Sequence, residues 1–131
     1  MENSQNNDYP VQGKTTIAPE VLLTIVQLTT LDVPGVRRMS PVPGDYNKYF
    51  KRGYGDGVHI DIQDGTVYAD LHLVFGHGVN IRDVGRRVQR DVARAITEMV
   101  GMPVGRINIH VEDIDYSDAE AAGAKEAAAE S

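Results

Sequence analysis

The stretch GVHIDIQDGTVYADLHLVF, residues 57–75, decides how this chain folds. Val58, Ile60 and Ile62 alternate with His59, Asp61 and Gln63. Val67, Ala69, Leu71, Leu73 and Phe75 then alternate with Tyr68, Asp70 and His72. Alternation of period two places apolar side chains on one face of a strand and polar ones on the other. Asp64-Gly65, between the two runs, is the dipeptide of a two-residue type I′ turn. That turn pairs Ile62 with Val67, Ile60 with Ala69 and Val58 with Leu71, all apolar. On the other face it pairs Asp61 with Tyr68 and His59 with Asp70. The hairpin therefore belongs to a sheet covered on one side only.

Downstream lies a helix with its own start and stop. Asn80 is an N-cap, with Asp83 three residues on and Val79 and Val84 at the hydrophobic-staple positions. Ile81, Val84, Val88, Val92, Ala95, Ile96 and Met99 form one apolar stripe. Gly101 stands where a left-handed C-cap belongs, and Pro103 follows. Arg106–Val111 alternates again, with Ile107, Ile109 and Val111 on one face and Arg106, Asn108 and His110 on the other.

Upstream, Gly13–Ile17 reads as a short strand, and Pro19 and Glu20 open a helix with Val21, Leu22, Ile25 and Leu28 at helical spacing. Val33-Pro34-Gly35 ends that helix, and Val36–Ser40 reads as another strand. The expected architecture is α+β in two layers, in the order β-α-β-β-β-α-β. A mixed sheet carries both helices on its apolar face and leaves its polar face open.

This domain is expected over residues 13–116, between a polar tail at 1–12 and an Ala- and Glu-rich tail at 117–131, both disordered. The tails carry most of the net charge of −6, because residues 13–116 hold twelve basic and thirteen acidic residues. Global charge thus says little about partners, and local patches carry the reading. The absence of Cys removes disulfides, thiolate metal sites and cysteine nucleophiles, and suits a reducing cytosol. No run approaches the length of a membrane helix, and the polar N-terminus does not resemble a secretory signal. The expectation is a soluble, cytoplasmic protein without a direct membrane span.

Chemistry has few places to reside. His59 and His72 project from the polar sheet face near Asp61 and Asp70, and His110 shares that face; such a set could bind a divalent metal. An open, flat face gives poor ligand convergence, so metal binding is the weaker alternative, and no cofactor is expected. His77, between Gly76 and Gly78, matches neither a P-loop nor a Rossmann motif. Ser40 has no nucleophile elbow around it. The chain reads as a non-enzyme.

Two surface patches point to binding. Arg82, Arg86, Arg90 and Arg94 recur every four residues on the second helix, with Arg87 beside them. Asp83–Arg87 and Arg94–Glu98 can pair at i, i+4, whereas Arg82, Arg86 and Arg90 have no helical acid at that spacing. The stripe suits an acidic protein partner, an anionic surface or nucleic acid. The second patch is a loop in which Tyr46, Tyr49, Phe50 and Tyr54 interleave with Lys48, Lys51 and Arg52. Aromatic and basic residues so mixed anchor protein interfaces or stack bases. A small RNA-binding module is therefore the alternative to a protein-interaction domain, although Asp61, Asp70 and Glu112 on the sheet face oppose it.

The ordered set GKTTIAPEV (13–21), VPGV (33–36), GVHIDIQDGTVYADLHLVFGHGVNI (57–81), VGRRVQRDVARAITEMVG (84–101) and VGRINIHVEDI (104–114) resembles the alkaline shock protein twenty-three family, also called the general-stress envelope response family. The resemblance implies a bacterial cytoplasmic protein tied to cell-envelope stress, without catalytic residues to carry over. It also implies action by self-association into a homo-oligomer or by binding a membrane-anchored protein partner. Two features depart from the family pattern: Ala18 stands where a Ser-like cap is usual, and the Tyr-rich loop and Ala/Glu tail are additions.

Overall fold

The computed structural model describes residues 10–41 and 57–117. Its elements are helix α1 (Pro19–Leu31), strands β1 (Val36–Met39), β2 (Val58–Gln63) and β3 (Thr66–Gly76), helix α2 (Ile81–Ala95), a π-helical turn (Ile96–Val100) and strand β4 (Val104–Asp115). Residues 13–17, expected as a strand, are exposed chain outside the sheet, so the described order begins with a helix. Strand-forming residues alone do not make a strand without a partner edge to pair with.

The hairpin has the expected register, from Gln63 opposite Thr66 through Ile62–Val67, Ile60–Ala69 and Val58–Leu71. Asp64 and Gly65 both have positive φ, at 50° and 77°, as a type I′ turn requires. β3 is the spine of the sheet. β2 pairs antiparallel with residues 66–71 and β1 antiparallel with residues 73–75, one after the other along one edge. Their seam falls at His72, whose N–H donates to the Gly57 carbonyl and whose carbonyl accepts from the Ser40 N–H, both at 2.8 Å. β4 runs parallel along the other edge, reached by the crossover through α2. The sheet is mixed, and both helices lie on its apolar face.

The core gathers Val67, Ala69, Leu71, Leu73 and Phe75 of β3, Val58 of β2 and Ile107 of β4 against Leu22 and Val26 of α1, Val88 and Val92 of α2 and Ile96 of the π-helical turn. Burying a side chain of this size stabilises by roughly 1.5–3 kcal/mol before entropy is charged. Thr30 is fully buried as well, and its hydroxyl donates to the Val26 carbonyl one turn back at 2.8 Å, which satisfies it.

Both helix faces differ from the expected stripes. On α1 the buried residues are Leu22, Val26 and Thr30, while Val21 and Leu28 are exposed. Six of the eight residues from Val21 to Leu28 are apolar, so the pattern leaves the phase open and packing selects it. On α2, Val88, Val92 and Ile96 are buried as expected, but Ile81 and Met99 are exposed. Met99 leaves the stripe because the helix widens after Ala95. Gly101 N–H donates to the Ile96 carbonyl five residues back, and Val100 packs on the core in Met99's stead. Gly101 closes the turn in the left-handed conformation, at φ 80°, as a C-cap there requires.

Candidate functional site

Two surfaces flank the sheet: its open polar face, and a groove between α2 and β4. Residues 68, 70 and 72 of β3 and 106, 108, 110 and 112 of β4 build the open face. The parallel register sets Tyr68 beside Arg106, Asp70 beside Asn108 and His72 beside His110. The two imidazoles stack, with centroids 4.5 Å apart and planes 12° from parallel. Each turns one nitrogen to a carboxylate: His72 Nδ1 lies 2.7 Å from Glu112 Oε2, and His110 Nε2 lies 2.9 Å from Asp70 Oδ1. Asn108 Nδ2 donates to the same Asp70 oxygen at 3.0 Å. The His110 hydrogen bond holds the Asp70 carboxyl below its ordinary value, and Asn108 helps; partial burial opposes both. The Arg106 guanidinium lies 5.5 Å from the centroid of the Tyr68 ring, a cation–π contact.

The polar groups of this face are therefore spent largely on one another. His72 and His110 form two separate pairs with carboxylates rather than a shared cage. Among the described residues no group of three or more His, Asp or Glu is disposed to hold a metal ion. Asp70, His72 and His110 are brought together as the alternation suggests. Asn108 and Glu112, which the sequence also puts on this face, complete the network; the β3–β4 register, which no local pattern encodes, sets each beside its partner.

The arginines of α2 divide into two sets. Arg87 pairs with Asp91 one turn on, at 3.5 Å, instead of with Asp83; Arg90 reaches the other oxygen of Asp91 at 3.8 Å; Arg94 pairs with Glu98 at 3.5 Å. All these groups are solvent-exposed or nearly so, and such pairs contribute only about 0–1 kcal/mol. Asp83 instead serves the helix start: its backbone N–H donates to Asn80 Oδ1 at 3.0 Å. Arg82 and Arg86 make no ion pair or hydrogen bond among the described residues.

Those two arginines line a groove of about 560 Å³ whose other wall is Ile109 and Val111 of β4, with Ile81, Gly85 and Gln89 between. Gln89 Nε2 reaches across to donate to the Ile107 carbonyl at 2.9 Å. Gln89, Ile109 and Val111 were not legible as surface-forming residues, because the alternation of β4 marks its isoleucines and valine as core. A second, apolar groove of about 400 Å³ lies between the start of α1, β2 and the end of the π-helical turn; Leu23, Ile60, Ile62 and Met102 line it. Tyr46, Lys48, Tyr49, Phe50, Lys51, Arg52 and Tyr54 lie outside the described residues. No described helix is long and apolar enough to cross a membrane.

Comparison with known proteins places this arrangement. The chain is 31% identical over 106 residues to the uncharacterized protein YqhY of Bacillus subtilis, covering 79% of this chain and 78% of that protein. It is 32% identical over 105 residues to the uncharacterized protein Spy1535 of Streptococcus pyogenes serotype M6, covering 78% and 79% of the two chains. A second streptococcal protein, Spy1614, is 24% identical over 106 residues, with 78% and 88% covered. No solved structure matches the chain. The family model for alkaline shock protein 23 matches residues 7–116, and the chain belongs to that family, which has a cell envelope-related function.

Proposed function

We propose that this protein is a non-catalytic, cytoplasmic interaction protein of the cell-envelope stress response. It works by binding a membrane-anchored protein partner or further copies of itself. The observation that carries the reading is the pair Arg82 and Arg86. Both are exposed, lack an acidic partner among the described residues, and lie beside apolar side chains of β4. Arginine next to exposed apolar surface is the composition of a protein interface. The non-catalytic reading is supported by the open sheet face, where imidazoles and carboxylates are committed to each other rather than converging on a reacting atom.

Light scattering after size-exclusion chromatography, together with crosslinked co-purification from the native host, tests this reading. Wild-type protein is expected to self-associate saturably or to retain one membrane protein. Replacing Arg86 and Arg90 by Glu is expected to reduce whichever occurs. A strictly monomeric protein that retains nothing, or turnover of a substrate by the purified chain, overturns it.

A further inference from the structure

We infer that the groove between α2 and β4 accepts an extended acidic segment of a partner protein, which adds as a strand to the open edge of β4. This deepens the interaction reading above and rests on it. Three observations meet at the groove.

The first is an unused hydrogen-bonding edge. β4 pairs with β3 on one side and with no described element on the other. In a parallel ladder, alternate residues turn their peptide groups toward the partner strand and the rest turn them away. Leu71 and Ala69 of β3 stand opposite Ile109 and Ile107, so the residues on either side of these in β4 bond to β3. Ile107 and Ile109 turn their own N–H and C=O outward. The Ile107 carbonyl confirms that direction, since it accepts from Gln89 on α2. Gln89 thereby closes one end of the edge, the Ile114 N–H is taken by Asp113 Oδ1 at 2.8 Å, and no described residue pairs with Ile109 and Val111 between them on that side. An open edge of this kind is a template for another strand.

The second observation is charge. Arg82 and Arg86 overhang that edge, and among the described residues no acidic side chain lines the groove. Side chains of an added strand alternate, so those on the helix side meet the two guanidiniums and those on the far side meet the open face. Carboxylates on the helix side would take the bidentate geometry that arginine favours.

The third is apolar exposure at the same place. Ile81 is 47% exposed and Val111 is 37% exposed. The methylene groups of helix-side Glu residues in the incoming segment would cover them.

Charge also selects the occupant. Two copies of this chain meeting edge to edge would bring α2 beside α2 and set Arg82 and Arg86 against the same residues of the other copy, and like charges so juxtaposed are unfavourable. A heterologous acidic segment meets no such repulsion.

The test uses the full chain and a short fluorescein-labelled peptide of alternating Glu and Val, read by anisotropy. Saturable binding is expected, weakening as salt rises. Changing both Arg82→Glu and Arg86→Glu is expected to weaken it about tenfold or more. Both residues are on the surface, so an unchanged circular dichroism spectrum and melting temperature show that the variant is folded. Methylating alternate backbone nitrogens of the peptide, which removes its strand donors without changing its charge, is expected to abolish binding to the unaltered protein. A peptide of alternating Lys and Val is expected not to bind. Four results overturn the inference: equal affinity for the methylated peptide; equal affinity of the double variant; binding confined to phosphatidylglycerol vesicles or oligouridine; or an edge occupied by a second copy in solution. If the peptide fails while Arg90→Glu with Arg94→Glu, both outside the groove, still reduces co-purification, the edge is not the site, and the interaction reading stands through the outer helix face.

Discussion

Helices α1 and α2 cover the same sheet, yet α2 is delimited by its own residues and α1 by its neighbours. Asn80 caps α2 with a side-chain hydrogen bond, and Gly101 ends the helical segment in the left-handed conformation. Ala18 holds the extended backbone of an N-cap before α1 but has no side chain to cap with, so the helix start relies on Pro19 at its first position. At the other end, Asp32 N–H closes α1 onto the carbonyls of Leu28 and Thr29, again through backbone alone. The lesson is that a helix with weak local signals can be as well seated as one with strong signals, provided that tertiary burial supplies what capping does not. Val26 of α1 and Val92 of α2 are equally inaccessible to solvent.

The largest effect should come from the element that both helices share. Leu71 is fully buried at the centre of β3, and Leu71→Ala is expected to cost about 2–5 kcal/mol, measured by urea unfolding. Helix and sheet signals should be lost together; loss of α1 alone in a separate, earlier transition would break the comparison, since α1 would then not share the core. Next in size, Asn80→Ala is expected to cost about 1 kcal/mol. It should raise amide exchange in the first turn of α2 before exchange rises elsewhere. The converse change sharpens the contrast. Ala18→Asp places a capping carboxylate at the start of α1, where the backbone is already extended, and is expected to gain about 0.5–1 kcal/mol and to slow exchange in its first turn. No gain would mean that packing already holds that turn at full strength.

The smallest effect belongs to the face away from both helices. The hydrogen bond from His110 lowers the Asp70 carboxyl in the folded state, so the unfolded chain takes up a proton first as the solution is acidified. The stabilisation is therefore present above the ordinary carboxylate value of 3.8 and is lost as pH falls through the lower folded value. Asp70→Asn should be slightly less stable than wild type at neutral pH, with the difference closing in acid. Partial exposure of Asp70 keeps the effect small. A variant difference that grows on acidification would contradict the sign, and any change in helix protection would contradict the separation of the two faces.

Much of this protein is fixed locally. The hairpin register follows from Asp64-Gly65 and the alternation on either side, because a one-residue slip would turn every apolar side chain outward. The limits of the helical segment 81–100 follow from Asn80 and Gly101, which satisfy backbone groups within a few residues of themselves. Tertiary structure alone decided the rest. It chose which stripe of the almost uniformly apolar α1 is buried, left residues 13–17 outside the sheet, and widened the last turn of the second helix so that Val100 replaces Met99. It fixed the register of β4 against β3, which brings His72 onto His110 and leaves Ile109, among the described residues, with an open edge beneath Arg82 and Arg86. These outcomes depend on contacts between residues far apart in the chain, and a local pattern records which faces are apolar but not which partner will cover them.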